Sequence, residues 1–176
     1  MKCFIETIFR TKEKENIIRN ACEKIINSEI IQDNQCLLFS ALLFKYFHEI
    51  KIKTKVHIVS VDGNNPHMYI SYKNKRIDIT SHKQSTFKLK PIVLDKKIDV
   101  GYDLPSFSFE SFSQDYIDSL DESLTKKIIL SAMKNKDFSF NEKYIWEFIE
   151  HPEKLEKNAF KEDFNEKYKS LKEIIQ

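Results

Sequence analysis

The spacing of apolar residues along this chain switches from a helical period to strand-like alternation and back again. In residues 12–31, Ile17, Ile18, Ala21, Ile25 and Ile26 recur at helical spacing among Lys, Glu and Asn, which predicts an amphipathic helix. Asp33 and Asn34 are favourable N-cap residues, and a second helix is expected to run from Gln35 to Glu49. Its apolar positions, Leu37, Leu38, Ala41, Leu42, Leu43, Phe44 and Phe47, cover most of its circumference, so it is expected to be central and packed on more than one side.

Residues 53–61 alternate and are rich in β-branched side chains, the signature of a strand. Asp62-Gly63-Asn64-Asn65-Pro66 is a turn cluster. Residues 67–72 read as a second strand, Lys73-Asn74-Lys75 as a tight turn, and residues 76–80 as a third strand. Strands joined by such short connections form an antiparallel meander. Leu89 to Leu94 is a candidate fourth strand, and residues 99–112, with Gly101 and Pro105, read as irregular. From Ser113 onward the period is helical. Tyr116, Ile117, Leu120, Leu124, Ile128, Ile129 and Met133 fit one amphipathic helix, and residues 140–149 and 158–175 suggest two more, broken near Pro152. The expectation is an α+β fold, with residues 1–112 as the core and residues 113–176 as a helical extension packed on the same domain.

Composition narrows the function classes. With 176 residues and 41% apolar content, the chain can bury the core of one ordinary domain. Charged residues make up 32%, but their signs nearly cancel to +2, and no basic run is interleaved with stacking aromatics, so a nucleic-acid partner is not expected. The basic stretches at residues 51–55 and 73–76 read as solvated strand edges and a hairpin turn. Three cysteines, an odd number, argue against a disulfide framework and fit a reducing compartment. The start of the chain turns acidic at Glu6, too soon for a signal peptide, and the longest apolar run is too short to span a membrane. A cytoplasmic location is expected, with signal-peptide-independent secretion as the open alternative.

The candidate chemistry lies in an order of three residues. Cys36 falls in the first turn of the apolar helix, His67 at the start of a strand, and Asp78 on the next strand. A cysteine attacks as its thiolate, and the unpaired amides and dipole of a helix N-terminus favour negative charge there. A histidine across from it can serve as general base to the thiol and general acid to the leaving group. Asp78 follows His67 by eleven positions, which a tight hairpin turns into a cross-strand neighbour suited to orienting the imidazole. That reach depends on register, because a slip of one residue moves a side chain to the opposite face. For an oxyanion hole, the Cys36 backbone amide is one donor, and Gln32, Asn34 or Gln35 offers a side-chain amide, with Gln32 ranked first.

The segments Asn34-Gln35-Cys36-Leu37-Leu38-Phe39-Ser40-Ala41, Pro66-His67-Met68-Tyr69-Ile70 and Arg76-Ile77-Asp78-Ile79-Thr80 resemble the transglutaminase-like branch of the papain-like cysteine proteases. In that superfamily the Cys starts a central helix, the His lies in a His-x-aromatic-aliphatic strand, and the Asp follows in an aliphatic-Asp-x-Thr setting. The resemblance spans residues 33–80. It implies a papain-like, transglutaminase-type fold with the central helix against an antiparallel sheet. It also implies acyl transfer through a Cys36 thioester on a protein or peptide, with Cys36, His67 and Asp78 as the catalytic set. The acceptor is left open between water (peptidase, amidase or deamidase) and an amine (transglutaminase), with hydrolysis favoured because no cofactor site is evident. The competing class is a non-catalytic binding or adaptor protein that keeps a papain-like fold.

No Cys-x-x-Cys or His-x-x-x-His spacing suggests a metal, and with Gly only at 63 and 101 no Gly-rich phosphate loop can form. No cofactor is expected. Cys22 beside the apolar stripe of the first helix reads as a buried hydrophobe, and Cys3 near the chain start as incidental. Phe107, Phe109, Phe112 and Trp146 read as core rather than as cleft lining.

Overall fold

The computed structural model describes residues 2–61, 63–83, 90–95, 109–110, 112–120, 123–151 and 164–176. Two helices come first, α1 (Lys2–Asn27) and α2 (Cys36–Glu49). The strands β1 (Lys55–Val61), β2 (Asn65–Tyr72), β3 (Lys75–Asp78) and β4 (Ile92–Asp95) follow, with the two-residue β5 (Phe109–Glu110). Four helices close the order: α3 (Gln114–Ser119), α4 (Leu124–Ala132), α5 (Glu142–Glu150) and α6 (Phe164–Ile175). The sheet runs β4-β3-β2-β1-β5, and every pairing is antiparallel. The architecture is therefore α+β, as the alternation and short turns require.

The meander forms where the turn chemistry allows it. Gly63 adopts φ +76 between β1 and β2, a conformation that favours residues without a Cβ. Its carbonyl accepts from the Ser113 amide at 2.9 Å, which ties this hairpin to the start of α3. Lys73 and Asn74, at φ 48 and φ 60, form the two-residue link between β2 and β3 and bring Tyr72 opposite Lys75. Two consecutive residues of positive φ match the right-handed twist of the flanking strands.

Strand alternation gives the sheet two different faces. Val56, Ile58, Met68, Ile70 and Ile77 join the apolar core with α2. His57, His67, Tyr69, Ser71, Arg76 and Asp78 occupy the alternate positions and are buried as well. Leu38, Phe39, Ala41, Leu42, Leu43, Phe44 and Phe47 of α2 are all buried, and α2 touches β1, β2, α5 and α6, so the all-round apolar pattern does mark a central helix. Residues of α4, α5 and α6, among them Ile129, Phe148 and Leu171, belong to the same core cluster as Ile18 and Ile25 of α1. Phe112 lies in that cluster and Trp146 packs against it, the ring of Trp146 lying edge-on to Phe44 at 5.4 Å.

Several boundaries differ from the sequence reading. Helix α1 starts at Lys2 and ends at Asn27, short of residue 31, because the Ser28 hydroxyl and amide both bond the Ile25 carbonyl and Glu29 turns to φ 57. The single helix expected after Ser113 is two. Leu120 leaves helical geometry at ψ 131, and Ser123 then caps a new helix by accepting from the Lys126 amide at 3.3 Å. Residues 158–163 and most of the stretch 99–112 lie outside the described residues, as does Phe107. Among the described residues, no helix is long and apolar enough to cross a membrane.

Candidate active site

Helix α2 begins at the thiol itself. The N-cap is Gln35, not Asp33 or Asn34, so Cys36 is the first helical residue. Asn34 sits at φ 60, a conformation that Asn tolerates better than most residues, and its amide donates to the Lys83 carbonyl at 3.0 Å. Lys83 ends a short 3-10 turn, residues 81–83, that follows β3, and its own amide returns to the Thr80 carbonyl at 2.9 Å. The loop before α2 is thereby fastened to the segment that carries Asp78. One turn into α2, on the face that Cys36 shares, the Ser40 hydroxyl donates to the Met68 carbonyl at 3.0 Å. This fixes the start of α2 against the residue that follows His67.

The Gln35 side chain does not cap the helix amides. Its carbonyl accepts from the Gln32 amide at 3.1 Å, and its Nε2 donates to Gln32 Oε1 at 3.3 Å. Gln32 and Gln35 thus form a cyclic pair just ahead of Cys36. The first intrahelical bond runs from the Phe39 amide to the Gln35 carbonyl. The amides of Cys36, Leu37 and Leu38 are the first-turn donors that a helix cannot satisfy internally.

The register question is resolved by β2 and β3. Ile70 pairs with Ile77 and Ser71 with Arg76; continued by one residue, this ladder brings Asp78 opposite Tyr69. Tyr69 and His67 share a face, so Asp78 reaches His67 on the diagonal. His67 Nε2 donates to Asp78 Oδ2 at 2.7 Å. Cys36 lies close enough to the imidazole to help raise its pKa. The carboxylate engages Nε2, so Nδ1 is the ring nitrogen turned away from Asp78. Of the three residues singled out in the sequence, His67 thus bonds Asp78 and has Cys36 near enough to influence it electrostatically. Cys36 keeps 9% of its surface exposed against 1% for His67 and 2% for Asp78, so it is the least buried of the three.

Burial and charge pull against each other here. Burial disfavours a charged imidazole, but the Asp78 carboxylate, by charge and by hydrogen bond, together with Cys36, outweighs it and pushes His67 up to about 9. Burial likewise pushes the Asp78 carboxyl up, and His67 and Arg76 together overcome this and hold it well below the usual carboxylate range.

Arg76 was read from the sequence as part of a solvated basic turn, and this is corrected. It is buried, and its NH2 donates to Asp78 Oδ2 at 2.5 Å. Its guanidinium lies 4.0 Å from the centre of the Tyr69 ring. The available signal was its place two residues before Asp78 on a strand, which puts both on one face. The Thr80 hydroxyl donates to Asp78 Oδ1 at 3.3 Å, so both carboxylate oxygens are engaged. His57, given no role from sequence, stacks on Tyr69 at 4.8 Å and 5°. Its Nδ1 bonds the Asp137 carbonyl at 2.9 Å and its Nε2 the Ser71 hydroxyl at 2.8 Å, and burial lowers its pKa against the pull of Asp137.

The two remaining cysteines separate by environment. Cys22 is wholly buried, and burial first, with Glu23 adding and Arg19 opposing, pushes its thiol up to about 12. It is an inert core residue, as expected. The side chain of Cys3 lies outside the described residues. Among the described residues, no group of three or more His, Cys, Asp or Glu is placed to hold a metal ion. Compared with protein-family models, curated proteins and solved structures, the chain matches none.

Proposed function

We propose that this chain is a cysteine-nucleophile acyl-transfer enzyme of transglutaminase-like, papain-like type, acting through a Cys36 thioester on a carboxamide or peptide bond. The observation that carries the reading is the buried His67–Asp78 pair, Nε2 on Oδ2 at 2.7 Å, with Cys36 at the start of α2 near enough to act on the imidazole. The helix start at Cys36 and the His67-x-aromatic-aliphatic strand add the resemblance in element type and order.

In the proposed reaction Cys36 and His67 act as a thiolate–imidazolium pair, the thiol proton having passed to His67 Nδ1, and the sulfur adds to the substrate carbonyl carbon. The negative oxygen is met by the first-turn amides of α2 and by the Gln32–Gln35 pair. His67 then returns the proton to the departing amine, the C–N bond breaks, and a thioester remains on Cys36. Water, with His67 again as base, attacks the thioester and releases the acid and the free thiol. An amine in place of water gives transfer instead. Hydrolysis of a protein or peptide is the favoured outcome. Asp78 stays ionised and holds the imidazole by Nε2, which orients the ring and stabilises its protonated form.

Thiol alkylation tests the reading. Iodoacetamide is expected to modify Cys36 rapidly at neutral pH and much more slowly in His67→Ala. A Cys36 that reacts at the rate of an ordinary thiol in both proteins ends the catalytic reading and leaves a non-catalytic binding module.

A further inference from the structure

We propose that Arg76 is a positioning residue of this site: clamped against Tyr69, it fixes the Asp78 carboxylate and acts as the permanent counter-charge that lets His67 give up its proton. The inference rests on the proposed acyl-transfer reading and extends it to a residue outside the triad.

Asp78 is 2% exposed, and an ionised carboxylate at such a place needs compensation. If His67 were its sole counter-charge, each deprotonation of the imidazole would strand a buried negative charge, and His67 would give its proton to the leaving group less readily. Arg76 removes that constraint because a guanidinium does not deprotonate in this range. It addresses Oδ2, the same oxygen that His67 uses, at 2.5 Å against 2.7 Å. The carboxylate therefore stays neutralised whichever form the imidazole takes.

Arg76 is itself held by a chain of contacts that runs across β2 to β1 and on to residue 137. Its guanidinium lies 4.0 Å from the Tyr69 ring centre, Tyr69 stacks on His57, and His57 is pinned by Ser71 and by the Asp137 carbonyl. A planar cation on an aromatic face loses little freedom when it bonds a carboxylate. Among the described residues, the ionisable groups shown to interact with Arg76 include Asp78 on its own strand, Tyr69 on β2 and His57 on β1.

The test compares full-length wild type with Arg76→Met, Arg76→Lys and Asp78→Asn, each checked for folding and measured well below its melting temperature. Two quantities are read: the nuclear magnetic resonance signal of the His67 Nε2 proton, and the rate of Cys36 alkylation by iodoacetamide. In wild type the proton is expected downfield and slow to exchange, and to be lost in Asp78→Asn. In Arg76→Met it is expected to shift or broaden, with alkylation slowed roughly ten- to hundredfold, the scale of a misplacement of about 1 Å. Arg76→Lys is expected to return part of both. A folded Arg76→Met with the wild-type signal and rate overturns the proposal. Should Arg76→Met not fold, Arg76→Lys decides alone: partial loss of both supports the proposal, and wild-type values overturn it. A Cys36 rate insensitive to His67→Ala defeats the catalytic reading instead, and the proton signal still decides whether Arg76 holds the Asp78–His67 pair.

Discussion

Replacing Asp78 by Asn keeps the shape of the side chain and removes its charge. In the wild type that carboxylate accepts from His67 Nε2 at 2.7 Å, from Arg76 at 2.5 Å and from Thr80 at 3.3 Å, all away from solvent. The change breaks a buried charge pair by removing one partner, which costs about 3–5 kcal/mol. In a chain of this length each kcal/mol moves the melting temperature by about 2–4 °C, so a fall of roughly 6–20 °C is expected. Arg76→Met is expected to cost a similar amount, because it leaves the carboxylate with His67 as its remaining charged partner. The double variant removes both charges together and is expected to cost about 2 kcal/mol less than the sum of the singles. Circular dichroism melts and urea unfolding of the four proteins supply the cycle. A cost below about 1 kcal/mol for Asp78→Asn, or strict additivity in the double variant, refutes the picture of one coupled buried network.

Other perturbations probe other parts of the account. His67 has a folded-state pKa above its unfolded value near 6.5, so its contribution to stability is complete below about pH 6.5 and is lost as pH rises through about 9. Unfolding free energies should fall by roughly 3 kcal/mol over that window in wild type and by much less in His67→Gln. An equal slope in both proteins contradicts the assignment to His67. Asp78 has the opposite sign: its contribution is present above about pH 4 and lost as pH falls toward its depressed value, a slope that Asp78→Asn should lack. Peptide mapping after brief iodoacetamide treatment should find Cys36 modified and Cys22 intact until the protein unfolds, and early labelling of Cys22 argues against its core position. Asn74 sits at φ 60, so Asn74→Gly should stabilise slightly or be neutral while Asn74→Val should cost about 1 kcal/mol or more by urea unfolding.

The parts of the fold that were legible in the sequence are those where local chemistry and burial agree. Alternation in β1 and β2, the turn at Lys73-Asn74 and the all-round apolar face of α2 each carry one instruction, and the chain follows it. The helix start at Cys36 was legible too, although the cap fell on Gln35 because the chain turns to positive φ at Asn34. The break between α3 and α4 was missed because apolar spacing continues across it, and the Ser123 cap that interrupts it is a single polar residue. Edge strand β5 has two residues, too few to show any period. Arg76 was missed for a different reason. A basic run beside a hairpin reads as solvated, and only the register of β2 on β3 reveals that one member of the run faces a buried carboxylate. The triad itself was readable as an order, while the face that Asp78 shares with His67 needed that same register.

The most direct test of the central claim is acylation by an activated ester. Wild-type protein mixed with p-nitrophenyl acetate is expected to release a rapid burst of nitrophenolate, stoichiometric with protein, and to carry the acetyl group on Cys36 by peptide mapping. The burst should vanish in Cys36→Ala and slow strongly in His67→Ala. Acetyl groups found on lysines alone, or a Cys36 burst of equal rate in His67→Ala, would contradict a nucleophile activated by its histidine.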